Sequence, residues 1–284
     1  MADIESELTP VGPDSGCGAT ELLADADRPG GWLLLVDRIR QSYVDLDDPT
    51  YLDFEYVQGL ADIIDALPAG PLTVTHVGGG ACTLVRYIGA VRPGSPQIVL
   101  EPDAEQTALI RARLPFARGT RPRIRPIGGR DGIGALGDHS ADVLVLDAFA
   151  GGRVPAELTT AEFFAEVARV LRPDGALLIN VADRPQLQYT RRLLAAVRTV
   201  LPNAIVRADP AVLKGRRFGN IVLAASRAEL PVRAVTRAAA SAMFPQRVLA
   251  HTAIDDFVAG AAPLIDAAPM RSPAPPDSSW RVGG

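Results

Sequence analysis

Residues 72 to 83 read Leu72-Thr73-Val74-Thr75-His76-Val77-Gly78-Gly79-Gly80-Ala81-Cys82-Thr83, and the apolar stretch LVRYIGAV follows directly. The first six residues alternate β-branched and apolar types, which reads as a buried strand. Three glycines then allow a tight reversal and close backbone approach, and the following apolar spacing is helical. This is a strand, glycine turn and helix. No Gly-Lys-Ser/Thr follows, so the turn is not a nucleoside-triphosphate phosphate loop. Thr83 stands where the dinucleotide fingerprint has its third glycine, so that motif fits imperfectly. A glycine triplet also serves simply to turn the chain, and what lies on either side must decide its use.

Moving outward, strands and helices alternate: strand 72–77, helix 81–91, strand 97–101, helix 104–114, strand 123–127, a short helix near 131–136, strand 141–147, helix 159–171, strand 175–181 and helix 186–200. Such alternation predicts a parallel sheet with right-handed crossovers. Two β-rich runs, 204–212 and 218–225, are separated by only Leu213-Lys214-Gly215-Arg216-Arg217, too short for a helical crossover, and must form an antiparallel hairpin. A parallel sheet closed by such a hairpin is the Rossmann-like, seven-stranded α/β methyltransferase fold. Ahead of it, Trp32–Val36 and Ile39–Leu46 predict a small N-terminal β unit, and residues 51–67 show helical spacing. The expected organisation is a flexible arm over 1–30, the β unit and linking helix over 31–67, a methyltransferase-like α/β domain over 68–265 and a Pro/Ser-rich tail over 266–284.

Composition narrows the function. The 29 basic and 33 acidic residues give a net charge of −4, which disfavours nucleic acid and anionic membranes as partners. No run approaches the length of a membrane span, and the acidic start MADIESELTP is unlike a signal peptide, so a cytoplasmic protein is expected. Cys17 and Cys82 are the only cysteines and suggest neither a disulfide framework nor a metal site.

Ligands of open α/β sheets sit beyond the carboxyl ends of the strands, and Gly78, Gly79 and Gly80 fit a cradle there. Glu101 ends the second strand, where a carboxylate can accept hydrogen bonds from both ribose hydroxyls; otherwise it is a solvated strand-end acid. Asp131 follows the third strand, placed either to read an adenine amino group or to cap a helix. His76 reads as a core residue, and Cys82 as a small residue at a turn more than a nucleophile. Asp183 either lines an acceptor pocket or caps the next helix.

These residues, with QSYVDLDDP around Gln41, Glu55-Tyr56, the VGGG turn, Glu101 in VLEPD and Asp147 in VLVLDAF, make residues 32–226 resemble the spermidine synthase-like polyamine aminopropyltransferases. The resemblance implies a donor substrate that is S-adenosylmethionine or its decarboxylated form, no metal, a small-molecule amine or other acceptor, and a homodimer as a candidate assembly. It implies Gln41 near the substrate, Tyr56 in the substrate pocket, Glu101 on the ribose, Asp131 on the adenine side and Asp147 as the catalytic aspartate. A protonated amine cannot attack a carbon beside a sulfonium until a base takes its proton, which gives Asp147 its task. The chain also departs from the family. Ala81-Cys82 replace the Asp-Gly of the usual Gly-Gly-Gly-Asp-Gly turn, Val57 replaces a histidine, and an acid is missing after Asp147. Three readings therefore stand: a spermidine synthase-like transferase on an adenosyl-sulfonium donor, with the replaced acids counting against aminopropyl transfer to a polyamine; an S-adenosylmethionine-dependent methyltransferase on an unknown acceptor; and a non-catalytic ligand-binding or regulatory protein of the same fold.

Overall fold

A computed structural model describes residues 20–276. The N-terminal unit has three antiparallel strands in the order β1 (Thr20–Ala24), β2 (Gly31–Val36) and β3 (Ile39–Asp45). β1 falls inside the stretch expected to be a loose arm. Only Leu22 and Leu23 are buried in it, too few to stand out from the polar residues around them. Residues 1–19 of the expected arm, and Cys17 with them, lie outside the described residues.

Helix α1 (Glu55–Ala66) leads to β4 (Val74–Val77), α2 (Thr83–Val91), β5 (Gln97–Leu100), α3 (Ala104–Arg113), β6 (Arg123–Arg125), α4 (Gly129–Gly134) and β7 (Ala141–Leu146). Then come α5 (Ala161–Val170), β8 (Leu171–Asp183), α6 (Gln188–Arg198), β9 (Asn203–Ala208), a single turn α7 (Pro210–Leu213), β10 (Gly219–Ser226), α8 (Val232–Ser241), β11 (Arg247–Ala250) and α9 (Thr252–Val258). The sheet order is β11-β9-β10-β8-β7-β4-β5-β6, with β10 antiparallel to both β8 and β9. Seven of these strands are the expected ones. The eighth, β11, pairs antiparallel with β9 at the edge, and its four residues are too few to show a period between two helices. The hairpin is present, but its first run ends at Ala208. Asp209 accepts the amides of Ala211 and Val212, and the chain turns helical where strand was expected.

The sheet buries both faces, as parallel sheets do. Leu144 and Leu146 of β7 join Ile179, Phe163, Phe164 and Leu193 on one side, while Val143 and Val145 join Leu178, Leu60, Ile63 and Ile64 of α1 on the other. A smaller cluster, Leu22, Leu34, Val44, Ala81, Ile110 and Leu114, ties the N-terminal sheet to the glycine turn and α3.

The first part of the expected tail does not extend away from the body. Asp266 pairs with Arg130, and Ser272, fully buried, accepts the Val154 amide at 2.8 Å. Residues 277–284 of that tail lie outside the described residues. Among the described residues no helix is long and apolar enough to cross a membrane.

Candidate active site

The carboxyl ends of β4, β5 and β7 converge at the glycine turn. Gly78 has φ +96°, and a Cβ there would lie 2.2 Å from the Asp147 carbonyl oxygen, so only glycine lets β4 leave the sheet beside β7. The Gly79 amide donates to Glu101 Oε2 at 2.8 Å, linking the turn to the end of β5. At Gly80, φ +46°, a Cβ would sit 2.4 Å from Ser42 Oγ of β3, so the turn also packs against the N-terminal sheet. Cys82 is left-handed at φ 60° and starts α2; burial pushes its thiol up to about 12, which keeps it protonated and not nucleophilic.

A cavity of about 1010 Å³ opens over this junction, and Gln41, Tyr56, Gly78, Gly79, Gly80, Glu101 and Asp147 all line it. Asp131 and Asp183 do not. Asp131 is exposed in the first turn of α4, where Gly128 and Gly129 supply the wall. Asp183 is 1% exposed, and its carboxylate accepts the amides of Arg184 and Thr190 and the Thr190 hydroxyl, a helix-capping use. His76 is buried, with Nε2 donating to Gln97 Oε1 at 2.9 Å, and desolvation lowers it to about 4, so it is neutral at physiological pH.

Asp147 stands at the centre. Its backbone amide donates to Val77, which fixes the strand end, and its Oδ1 accepts from Asn180 Nδ2 at 2.9 Å. The Tyr56 hydroxyl donates to it as well. Burial raises the Asp147 carboxyl from 3.8 to about 6, the two hydrogen bonds only partly opposing it. Next to that carboxylate the Tyr56 phenol is held well above its usual range, first by its own burial. Asn180, 2% exposed, was not singled out from sequence, although an asparagine inside LLINVA was the available signal. Its Oδ1, and Asn220 Oδ1 on β10, are buried with no partner among the described residues. Eight carboxylates line the cavity against three guanidiniums, those of Arg40, Arg207 and Arg217, which gives a field suited to a cationic ligand.

Ala81 does not line the cavity. It is fully buried in the apolar cluster with Leu22, Leu34 and Ile110, so the position where the resemblance expects an aspartate is sealed by packing here. Among the described residues no group of three or more His, Cys, Asp or Glu is placed to hold a metal.

A doubly wound sheet ending in an antiparallel hairpin, with a strand-end cavity over a glycine turn, is the Rossmann-like methyltransferase fold. A probable spermidine synthase from Corynebacterium glutamicum superposes with a TM-score of 0.83 at 32% identity, over 97% of this chain and 100% of that one. The chain belongs to the spermidine synthase family. A polyamine aminopropyltransferase of Neisseria meningitidis serogroup A is 26% identical over 159 residues, 55% of this chain; the match spans 60% of that relative's length. The spermidine synthase of Thermotoga maritima shares the fold, with a TM-score of 0.57 at 18% identity over 78% of this chain and 74% of that one. No protein-family model matches the chain.

Proposed function

We propose that the protein transfers an alkyl group from an adenosyl-sulfonium donor to a small amine, with Asp147 as the base. The observation that carries this is a carboxyl raised to about 6, half-buried beside the glycine turn and held by Tyr56 and Asn180. A base of that pKa is ionised at neutral pH yet still basic enough to take a proton from an ammonium group as the amine begins to attack. The turn and Glu101 hold the adenosyl end, and Tyr56 and Asn180 fix the carboxylate geometry. The amine nitrogen then bonds to the carbon next to sulfur, the carbon–sulfur bond breaks, and the electron pair leaves with sulfur as a neutral thioether. Asp147 keeps the proton until solvent takes it.

Methyl transfer from the intact donor is a second reading, and the sealed Ala81 position favours it, since no carboxylate stands there to repel the carboxylate that the intact donor keeps. Calorimetric titration with S-adenosylmethionine, its decarboxylated form and methylthioadenosine separates the two. Tighter binding of the decarboxylated donor supports aminopropyl transfer, and tighter binding of the intact donor supports methyl transfer. Glu101→Ala is expected to weaken all three about tenfold or more through the lost ribose contacts. Failure of all three to bind the wild-type protein sinks the adenosyl site.

A further inference from the structure

We infer that the acceptor is a primary amine whose far end carries no positive charge, so diamines are poor acceptors. The inference rests on the proposed adenosyl site and extends it to the other end of the same cavity. In the register of the sheet, Val222 of β10 lies opposite Asn180 of β8 on one side and opposite Arg207 of β9 on the other. Side chains opposite each other share a face, so Arg207 stands in the same row as Asn180, the residue bonded to Asp147. The Arg207 side chain is 1% exposed, yet it forms part of the cavity wall.

Its position is fixed from two directions. Nη1 donates to Asp62 Oδ2 of α1 at 2.6 Å, and Nε donates to Gln246 Oε1, just before β11, at 2.5 Å. Gly59 lets α1 cross here, because a Cβ would come 3.2 Å from Val222 and 3.6 Å from Arg207 Nε. Nearby, the Arg217 guanidinium, half-exposed, pairs with Asp209 at 3.0 Å, and that carboxylate also caps α7. The two cations of this end are thus each matched by one acid, leaving no uncompensated carboxylate on β9 or β10 to replace the hydration of a second ammonium. A dication entering here would lose water beside a fixed guanidinium. Of the other lining carboxylates, Asp37, Glu55, Asp103 and Glu157 are exposed, Asp53 is engaged by Arg40 at 2.9 Å, and Glu101 accepts the Gly79 amide at the glycine turn. The unpartnered Oδ1 atoms of Asn180 and Asn220 offer neutral acceptors for the N–H groups of a single amine.

The test is competition in the full chain saturated with methylthioadenosine, titrated with butylamine, γ-aminobutyrate and putrescine. The expected result is that putrescine binds about tenfold or more weakly than butylamine, and that Arg207→Met narrows the gap to about twofold. Arg207→Lys, which keeps the charge, should retain the discrimination, and it serves if the Met variant does not fold. Putrescine binding as tightly as butylamine to the wild-type protein would overturn the inference, most directly if Glu55→Gln then abolished it. Methylthioadenosine binding is measured first: its failure removes the adenosyl reading and the acceptor claim together, whereas its success followed by a putrescine preference removes the acceptor claim alone.

Discussion

Asp147 illustrates how one carboxylate can suit the proposed chemistry and yet be unfavourable to the fold. Its native pKa of about 6 lies above the ordinary 3.8, so the fold favours the protonated form. The stabilisation from that protonation is complete below about 3.8 and is lost as pH rises through about 6. At pH 8 the chain therefore holds an ionised carboxylate against desolvation, at a cost of about 2–3 kcal/mol. Asp147→Asn should raise the unfolding free energy at pH 8 by a comparable amount, with little gain at pH 3.5, while kcat/KM falls about 10²–10⁴-fold. Paired urea melts at the two pH values check the first part. Under the proposed reaction, activity of the wild-type protein should fall on the acid side with an inflection near 6, as Asp147 takes its proton. Tyr56→Phe deletes a hydrogen bond that stabilises the carboxylate, so that inflection should move to higher pH. An unmoved inflection would mean that another group sets the limb.

The strand and turn from Leu72 to Thr83 were legible because each residue type there has a backbone reason. β-branched residues build β4, and Gly78 takes a conformation that Asp147 denies to any side chain. What the sequence hid was direction. Strand-end carboxylates look alike in a linear chain, yet Glu101 faces the cavity, Asp131 faces solvent and Asp183 folds back onto Thr190. Asn180 and Arg207 were obscured in a similar way, since their roles depend on which strands become neighbours. Ala81 shows the same dependence, because only the packing of β1, β2 and α3 reveals that its side chain points away from the ligand space. Restoring the family's acid by Ala81→Asp should therefore not restore an amine site. It would bury an unpaired carboxylate among leucines and lower stability by about 3–5 kcal/mol, read as a reduced urea midpoint. Tighter binding of the decarboxylated donor by that variant would show instead that position 81 reaches the cavity.

Across the molecule, the segment that follows α9 links parts of the chain that are remote in sequence to the cavity wall. Leu264 is fully buried and its carbonyl accepts the Ala161 amide at the start of α5. Further on, Ser272 Oγ accepts the Val154 amide, Arg153 donates to the Ser272 carbonyl at 3.3 Å, and Pro275 packs against Gly152. Gly151 and Gly152, both with positive φ, turn the loop that carries the chain from Asp147 to Val154, and both line the cavity, as Pro276 does. The segment thus holds the wall next to the Asp147 carboxylate by one buried hydrogen bond and a proline contact. Ser272→Ala removes the hydroxyl and leaves the fully buried Val154 amide without its acceptor, while the Arg153 contact, made to backbone, survives. The loss should be about 1–3 kcal/mol, and because it is local it should appear first as faster hydrogen exchange at the Val154 amide, before the global unfolding free energy shifts by the same amount. If that exchange is unchanged in the variant, the loop is held by the Gly151–Gly152 turn itself, and the C-terminal segment only packs against it.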